Sequence, residues 1–314
     1  MNRFSDHQMS QNHNAYRLKS SNAGLTVLRT LATSLVSLVI LAGCGAADAE
    51  AFDDSNEEAV RGGVAEARFP GVGYLATKSK DGKLANFCVA TLLSPTHVVT
   101  AAHCGQFVDK ETYFGFGQMK DERVVRVASF YSHPKFSIDQ DMGGIVNDVA
   151  VAVLEKPLTT VAPVRVGTAA GKRDFTYVGY GRSKGGGPDS PDPELGKRKS
   201  VPFKLERLGE DKVYVLGVGG ATCSNDSGGP LLSPSGEIAA VLNGFSRLPA
   251  DCTTNSARRF TRLDRYSKFL AAAAACKLSP VTTKIGGDRV LLLPARCSFS
   301  GDPVYTKDEA PLKP

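Results

Sequence analysis

From about Val60 onward the chain is a succession of short apolar runs broken by Gly, Pro, Asp and Ser. Val72–Thr77, Phe87–Leu93, His97–Ala101, Val124–Phe130, Val149–Leu154, Phe175–Tyr180, Lys212–Leu216 and Ile238–Leu242 are each of strand length. Turn residues recur between them and no long amphipathic helix intervenes. Many strands without helical crossovers predict an antiparallel barrel or sandwich. Ser183–Ser200 (SKGGGPDSPDPELGKRKS) reads as a loop on composition. Only Leu263–Ala275 reads as a helix, with Leu263, Tyr266, Phe269 and Leu270 at helical spacing and an alanine run behind them. Residues 277–314, rich in proline and polar groups, form a C-terminal extension, either tied by Cys276 and Cys297 or partly loose.

The amino end has a different texture. Arg17, Lys19 and Arg29 lead into the apolar run Leu31–Leu41, too short for a mature bilayer-spanning helix and suited to the core of a signal peptide. Leu41-Ala42-Gly43-Cys44 resembles the bacterial lipobox, where cleavage precedes a cysteine that is then lipidated. An ordinary signal peptide cut at Ala46 or Ala47 is the alternative; both export the protein. Residues 1–43 are thus the expected leader of lipoprotein type. The next segment, 44–59, carries Asp48, Glu50, Asp53, Asp54, Glu57 and Glu58 without Lys or Arg and reads as an acidic spacer or propeptide.

Composition narrows the function classes. With 314 residues, 42% hydrophobic and 22% charged, the chain can bury a sizeable core, so disulfides would supplement packing. The net charge of +6 invites a nucleic-acid reading. Part of it lies in the leader, where Arg3, Arg17, Lys19 and Arg29 outnumber Asp6, and no basic stripe interleaves with aromatics; nucleic acid is not an expected partner. Setting Cys44 aside leaves Cys88, Cys104, Cys223, Cys252, Cys276 and Cys297, an even set that suits disulfides in an exported protein, with the pairing open. No His-x-x-x-His or paired Cys-x-x-Cys spacing calls for a metal. Gly217-Val218-Gly219-Gly220 leads into Cys223 and not into a phosphate-binding Lys-Ser/Thr, so no cofactor is expected.

Three motifs carry the chemistry. Val98-Val99-Thr100-Ala101-Ala102-His103-Cys104 puts a histidine just past a buried-looking strand; Asn147-Asp148 followed by Val149–Leu154 puts an aspartate at the mouth of another. Cys223-Ser224-Asn225-Asp226-Ser227-Gly228-Gly229-Pro230 sets a serine in a glycine-rich turn. A serine hydroxyl needs a base to take its proton during attack, an imidazole suits that exchange near neutrality, and a carboxylate fixes the imidazole tautomer. The remaining histidines compete weakly: His7 and His13 lie in the leader, His97 inside a strand-like run and His133 before a proline.

TAAHC, NDVAVAVL and CSNDSGGP, in this order, resemble the signature blocks of the chymotrypsin/trypsin-like serine proteases. The resemblance runs from Val60 to Cys276, including a VRGG start, YVGYGR at Tyr177–Arg182 and FTRL at Phe260–Leu263. It implies an all-β fold of two antiparallel six-stranded barrels with a C-terminal helix, a protease domain over 60–276, and peptide-bond hydrolysis by His103, Asp148 and Ser227. The oxyanion hole would be the N–H groups of Asn225 and Ser227, with Asn225 standing where the family has glycine. Asn is the most tolerant substitute for a left-handed backbone. Asp226 would pair with the new amino group of Val60 after cleavage behind Ala59, making the chain a zymogen; alternatively Val60–Gly63 is only a first turn.

The resemblance also implies the pairs Cys88–Cys104 and Cys223–Cys252, leaving Cys276 and Cys297 for the extension. The primary pocket would have Ala221 and Thr222 at its base and Asn243, Gly244 and Phe245 as its wall. Without an acid at Ala221, Arg and Lys side chains are disfavoured. With Phe245 in place of the wall glycine, small or medium apolar side chains are expected. Protein or peptide substrates, an activating protease, a membrane lipid anchor through Cys44 and a monomeric state complete the expectations. A non-catalytic binding module on the same scaffold is the rival; such relatives usually lose one member of the trio, and all three are present here.

Overall fold

A computed structural model describes residues 61–79, 81–109, 111–139, 144–184, 191–245, 252, 257–275, 281–284 and 290–293. Cys44, Val60, Cys276 and Cys297 lie outside the described residues, and with them the expected lipidation, the new amino terminus and the third cysteine pair.

The strands in chain order are β1 (Val64–Ala65), β2 (Val72–Lys78), β3 (Leu84–Ser94), β4 (His97–Thr100), β5 (Thr112–Phe116), β6 (Val124–Ser132), β7 (Ser137–Asp139), β8 (Gly144–Val146) and β9 (Ala150–Leu154). Then come β10 (Asp174–Gly179), β11 (Lys199–Leu208), β12 (Lys212–Gly217), β13 (Pro230–Leu232), β14 (Ile238–Phe245) and β15 (Arg258–Arg262). A helix α1 (Ser267–Ala275) follows, and the pair β16 (Val281–Lys284) and β17 (Val290–Leu293) lies in the extension. The eight apolar runs all became strands. Missed were β5, β11 and β13, each diluted by Gly, Pro or alternating charges, together with β15 and the short strands β1, β7, β8, β16 and β17. Of the stretch 183–200, the described residues 183–184 and 191–198 lie outside any strand, and β11 begins at Lys199. The helix starts at Ser267, its first turn preceded by a 3₁₀ turn over Asp264–Tyr266.

Strands β2-β3-β4-β9-β6-β5 form one closed barrel. In the second half β11-β10-β13-β14-β15-β12 follow in order, and the β11–β12 pairing closes them into another ring, with β1 added at its edge. The molecule is thus two six-stranded antiparallel barrels with one short C-terminal helix.

Successive side chains along a strand point to opposite faces, and here both faces of several strands are covered. Leu75, Cys88, Ala90, Leu92, Val98, Ala150 and Ala152 fill the first barrel. Their sequence neighbours Tyr74, Ala76, Val89, Val99, Val149 and Val151 instead pack outward against Val178, Tyr180, Leu232, Val241 and the helix residue Phe269. Phe175, Tyr177, Val201, Phe203, Val215 and Phe260 fill the second barrel. The unbroken apolar run at Val149–Leu154 has this cause: one alternate set serves the barrel interior, the other the seam between barrels.

Candidate active site

His103 sits in a 3₁₀ turn (Ala102–Phe107) directly after β4, so the strand's pairing with β3 and β9 sets where the imidazole emerges. Asp148 lies between β8 and β9 and is fully buried. The residue before it, Asn147, adopts a left-handed φ of 51° and donates from Nδ2 to the Lys135 carbonyl at 2.8 Å. That turn aims the Asp148 carboxylate at His103. Oδ2 accepts from Nδ1 at 2.8 Å, and Oδ1 accepts from the His103 backbone N–H at 2.9 Å. With both carboxylate oxygens engaged on one residue, the ring is held with Nδ1 as donor and Nε2 turned the other way. Burial pulls the imidazole pKa down and Arg259 opposes its protonation. The charge and hydrogen bond of Asp148 outweigh both, and the net shift is upward from 6.5.

Ser227 lies in the turn that precedes β13. Its carbonyl accepts from Val89 N–H of β3 at 2.8 Å, a bond that crosses from one barrel to the other. Gly228 follows with φ +78°, and a Cβ there would stand 2.1 Å from Thr100 Oγ1 and 2.9 Å from Ala101 N. Only glycine permits that approach, and it brings the serine turn against the segment leading into His103. Among the described residues no hydrogen bond joins the Ser227 hydroxyl to His103.

Asn225 has φ 71°, the left-handed conformation expected of it. Its side chain is anchored as well, donating from Nδ2 to the Asn86 carbonyl at 2.7 Å. Asp226 is fully buried. Its Oδ2 accepts from Cys223 N–H at 2.8 Å, and its Oδ1 from Gly181 N–H at 2.9 Å and the Tyr177 hydroxyl at 3.1 Å. Burial pushes this carboxyl up to about 7 despite those donors and the charge of Arg258.

Disulfides join Cys88 to Cys104 and Cys223 to Cys252. The first braces the histidine turn against β3 and uses both sulfurs beside His103, which are therefore not free to ligate a metal.

Of the expected pocket residues, Ala221, Thr222 and Asn243 are buried, while Gly244 and Phe245 are half-buried. The β14–β15 register shifts between Leu242 and Gly244, so Asn243 is an extra residue in a bulge, which re-aims its side chain. Its Oδ1 accepts from Arg259 Nε at 2.8 Å. Arg258, buried like its neighbour, donates from Nε to Thr222 Oγ1 at 2.9 Å and from Nη2 to the Thr222 carbonyl at 3.0 Å. Sequence reasoning missed both arginines. Adjacent residues of a strand face opposite ways, and only the fold shows that both faces of β15 are covered, so sequence spacing offered no signal for their burial.

A barrel pair with a histidine–aspartate couple on one half and a serine turn pinned from the other is accompanied by matching sequence comparisons. The trypsin family model matches residues 63–270. The chain belongs to the trypsin family. It is a chymotrypsin-like serine endopeptidase. Relatives include a trypsin of Saccharopolyspora erythraea, 31% identical over 50% of this chain and 74% of that one. Trypsin epsilon of Drosophila erecta is 26% identical, over 51% of this chain and 68% of the relative. A glucanase inhibitor protein of Phytophthora sojae is 28% identical over 73% of this chain and 90% of its own length.

Proposed function

We propose that Ser227 is the nucleophile, His103 the general base and acid, and Asp148 the group that orients the imidazole. The observation that carries this assignment is the two-point grip of Asp148 on His103. In this reading the Ser227 oxygen bonds to the scissile carbonyl carbon as His103 Nε2 takes its proton. The N–H groups of Asn225 and Ser227 meet the resulting oxyanion. Collapse breaks the C–N bond, and His103 returns its proton to the departing amine. Water then attacks the acyl ester by the same exchange, releasing the carboxylic acid and the free serine. Hydrogen bonds of this kind are often long before substrate binds and tighten in the complex.

Cleavage after Ala59 belongs to the proposal. Arg61 and Gly62 lie against the loop before Ser227: the Arg61 carbonyl accepts from Ala221 N–H at 2.8 Å, and a Cβ on Gly62 would stand 2.0 Å from the Gly219 carbonyl oxygen. That docking supports delivery of a new Val60 amino group to Asp226, a buried acid for which an ammonium partner would offset desolvation. The run before Cys44 supports export with a lipid anchor, and the two disulfides fit an oxidising compartment. The proposed pocket excludes Arg and Lys side chains, because Ala221 at its base supplies no acid to pair with them. The preference for a small or medium apolar side chain rests on Phe245 narrowing the space.

The likeness to a protein named as a glucanase inhibitor favours one second reading, a binding module on the same scaffold. A fluorophosphonate probe separates the two. Covalent label on Ser227 of purified protein, lost in Ser227→Ala, is expected of the peptidase, and absence of label in protein cut after Ala59 would overturn it. N-terminal sequencing of the labelled protein tests the zymogen step; an intact 59–60 bond in active enzyme refutes it.

A further inference from the structure

A groove follows the seam between the two halves and ends beside the proposed oxyanion donor. Its near chamber, about 370 Å³, is bounded by Asn86 of β3 and by Arg182, Ser224 and Asn225 of the second half. Its far chamber, about 540 Å³, shares Leu84, Met119 and Leu195 with the near one, so the two are continuous over an apolar floor. The walls are tied across the seam. Met119 N–H donates to the Gly196 carbonyl at 3.1 Å, Arg198 N–H to Gln118 Oε1 at 3.0 Å, and Asn86 Nδ2 to the Tyr180 carbonyl at 3.2 Å. None of the residues expected in the primary pocket lines either chamber.

The far chamber is cationic. Lys83, Lys120 and Lys197 line it and are exposed. Arg198 and Lys199 face it too, but they are buried and engaged, with the Glu66 and Phe69 carbonyls and with Glu194 respectively. Against the open lysines stand Glu122 in the lining, Asp81 at 3.4 Å from Lys83, and Glu194 beside Lys197. The cations outnumber these carboxylates. In their pairs the side chains of Lys83 and Lys197 remain 83% and 51% exposed, and exposed pairs of this kind yield to a competing carboxylate.

We propose that this groove receives the half of a peptide substrate that follows the broken bond, and that Lys83, Lys120 and Lys197 select substrates carrying Asp or Glu there. This deepens the peptidase reading and rests on the assignment of Ser227. The acyl half is already given to the primary pocket. A chain continuing past the oxyanion donors on the other side of the scissile bond enters the near chamber, crosses the apolar floor and reaches the lysines. Leu84, Met119 and Leu195 favour an apolar side chain on the way. Lysine suits the far end, since a point charge on a flexible stem can follow a carboxylate without a fixed geometry. None of these contacts involves the reacting atoms, so they hold ground state and transition state alike and act through KM.

The test compares fluorogenic peptides that are identical up to the cleaved bond, with a small apolar residue for the primary pocket, and that continue as Leu-Asp-Glu, Leu-Asn-Gln or Leu-Lys-Lys. On the purified enzyme the acidic peptide should show a kcat/KM about 3- to 10-fold above the neutral one at low ionic strength, with the gap closing at about 0.5 M salt. The basic peptide should fall below the neutral one. Lys83→Gln, Lys120→Gln and Lys197→Gln together should erase the ratio, and Lys120→Glu alone should lower it, with generic fluorophosphonate labelling showing that each variant is folded. Equal rates for acidic and neutral peptides, or a ratio that survives the triple change, overturn the proposal and leave the peptidase reading standing. If a synthetic peptide of residues 45–59 slows cleavage of the neutral peptide while acidic substrates gain nothing, the groove holds the chain's own acidic spacer and the proposal is equally overturned. Enzyme that takes neither the generic label nor any of the peptides removes the Ser227 assignment, and this proposal falls with it.

Discussion

Asn225→Ala removes two things at once. One is the side-chain bond to the Asn86 carbonyl; the other is the tolerance of Asn for the left-handed backbone at φ 71°. A hydrogen bond of this kind contributes about 1 kcal/mol net. Holding alanine in the left-handed region costs about 1–2 kcal/mol, of which Asn recovers a part. The sum is about 2 kcal/mol, and for a domain of this size each kcal/mol moves Tm by about 2–4 °C. A fall of about 4–8 °C is expected by thermal denaturation followed with circular dichroism. The same change loosens the N–H proposed for the oxyanion, so kcat should drop by about 10²-fold, with KM little changed. Asn225→Gly is the control, because it loses the anchor but regains the backbone conformation. Its Tm should move by no more than about half as much, and its kcat by less than about tenfold. If Ala and Gly variants were equally damaged, backbone geometry would not be the reason Asn225 matters. If Ala were silent in both assays, the side-chain anchor and the donor role would both be wrong.

Asp148→Asn should lower kcat by about 10⁴-fold, the size typical of the general Ser-His-Asp arrangement, with little change in folding cooperativity. In the proposed role of base the imidazole must be neutral, and its pKa is raised, so the acid limb of kcat/KM should have its midpoint above 6.5 and move below it in that variant. The His103–Asp148 pair contributes stability fully below about pH 6.5, and this is lost as pH rises through the raised folded-state value. The Asp226 carboxyl binds its proton more tightly in the folded protein, so the cost of ionising it is absent below pH 3.8 and complete above about 7. Melting of intact and processed protein should therefore diverge at pH 8, with the processed form the more stable, and converge at pH 4; parallel curves would argue against an amino-group partner. Replacing Cys223 and Cys252 by alanine opens a crosslink of sequence separation 29, and the chain-entropy model assigns it about 3–4 kcal/mol, readable in urea unfolding.

Legibility in the sequence followed how much each residue depended on its neighbours along the chain. Strands β2, β3, β4, β6 and β9 of the first barrel were visible because each contains a mostly apolar run, one alternate set serving the barrel and the other the seam, whereas β5 was not. His103, Asp148 and Ser227 stood in short motifs whose local geometry, a strand end or a tight turn, is written in adjacent residues. Strand β11 was hidden because Lys199, Pro202, Lys204 and Arg207 read as loop chemistry; only its cross-strand partners make it a strand. The pocket was hidden more deeply. Its polarity depends on Arg258 meeting Thr222 across 36 positions of sequence, and on a bulge at Asn243 that no periodicity announces.

The bond from Val89 N–H to the Ser227 carbonyl has a mechanical corollary. Ser227, the proposed nucleophile, is carried by one half of the molecule but moored to the other, and Gly228 leaves no slack at that mooring. Separating the halves breaks that bond while each half keeps its own strand pairings. Heat or denaturant should accordingly abolish turnover before it erases the β-sheet signal.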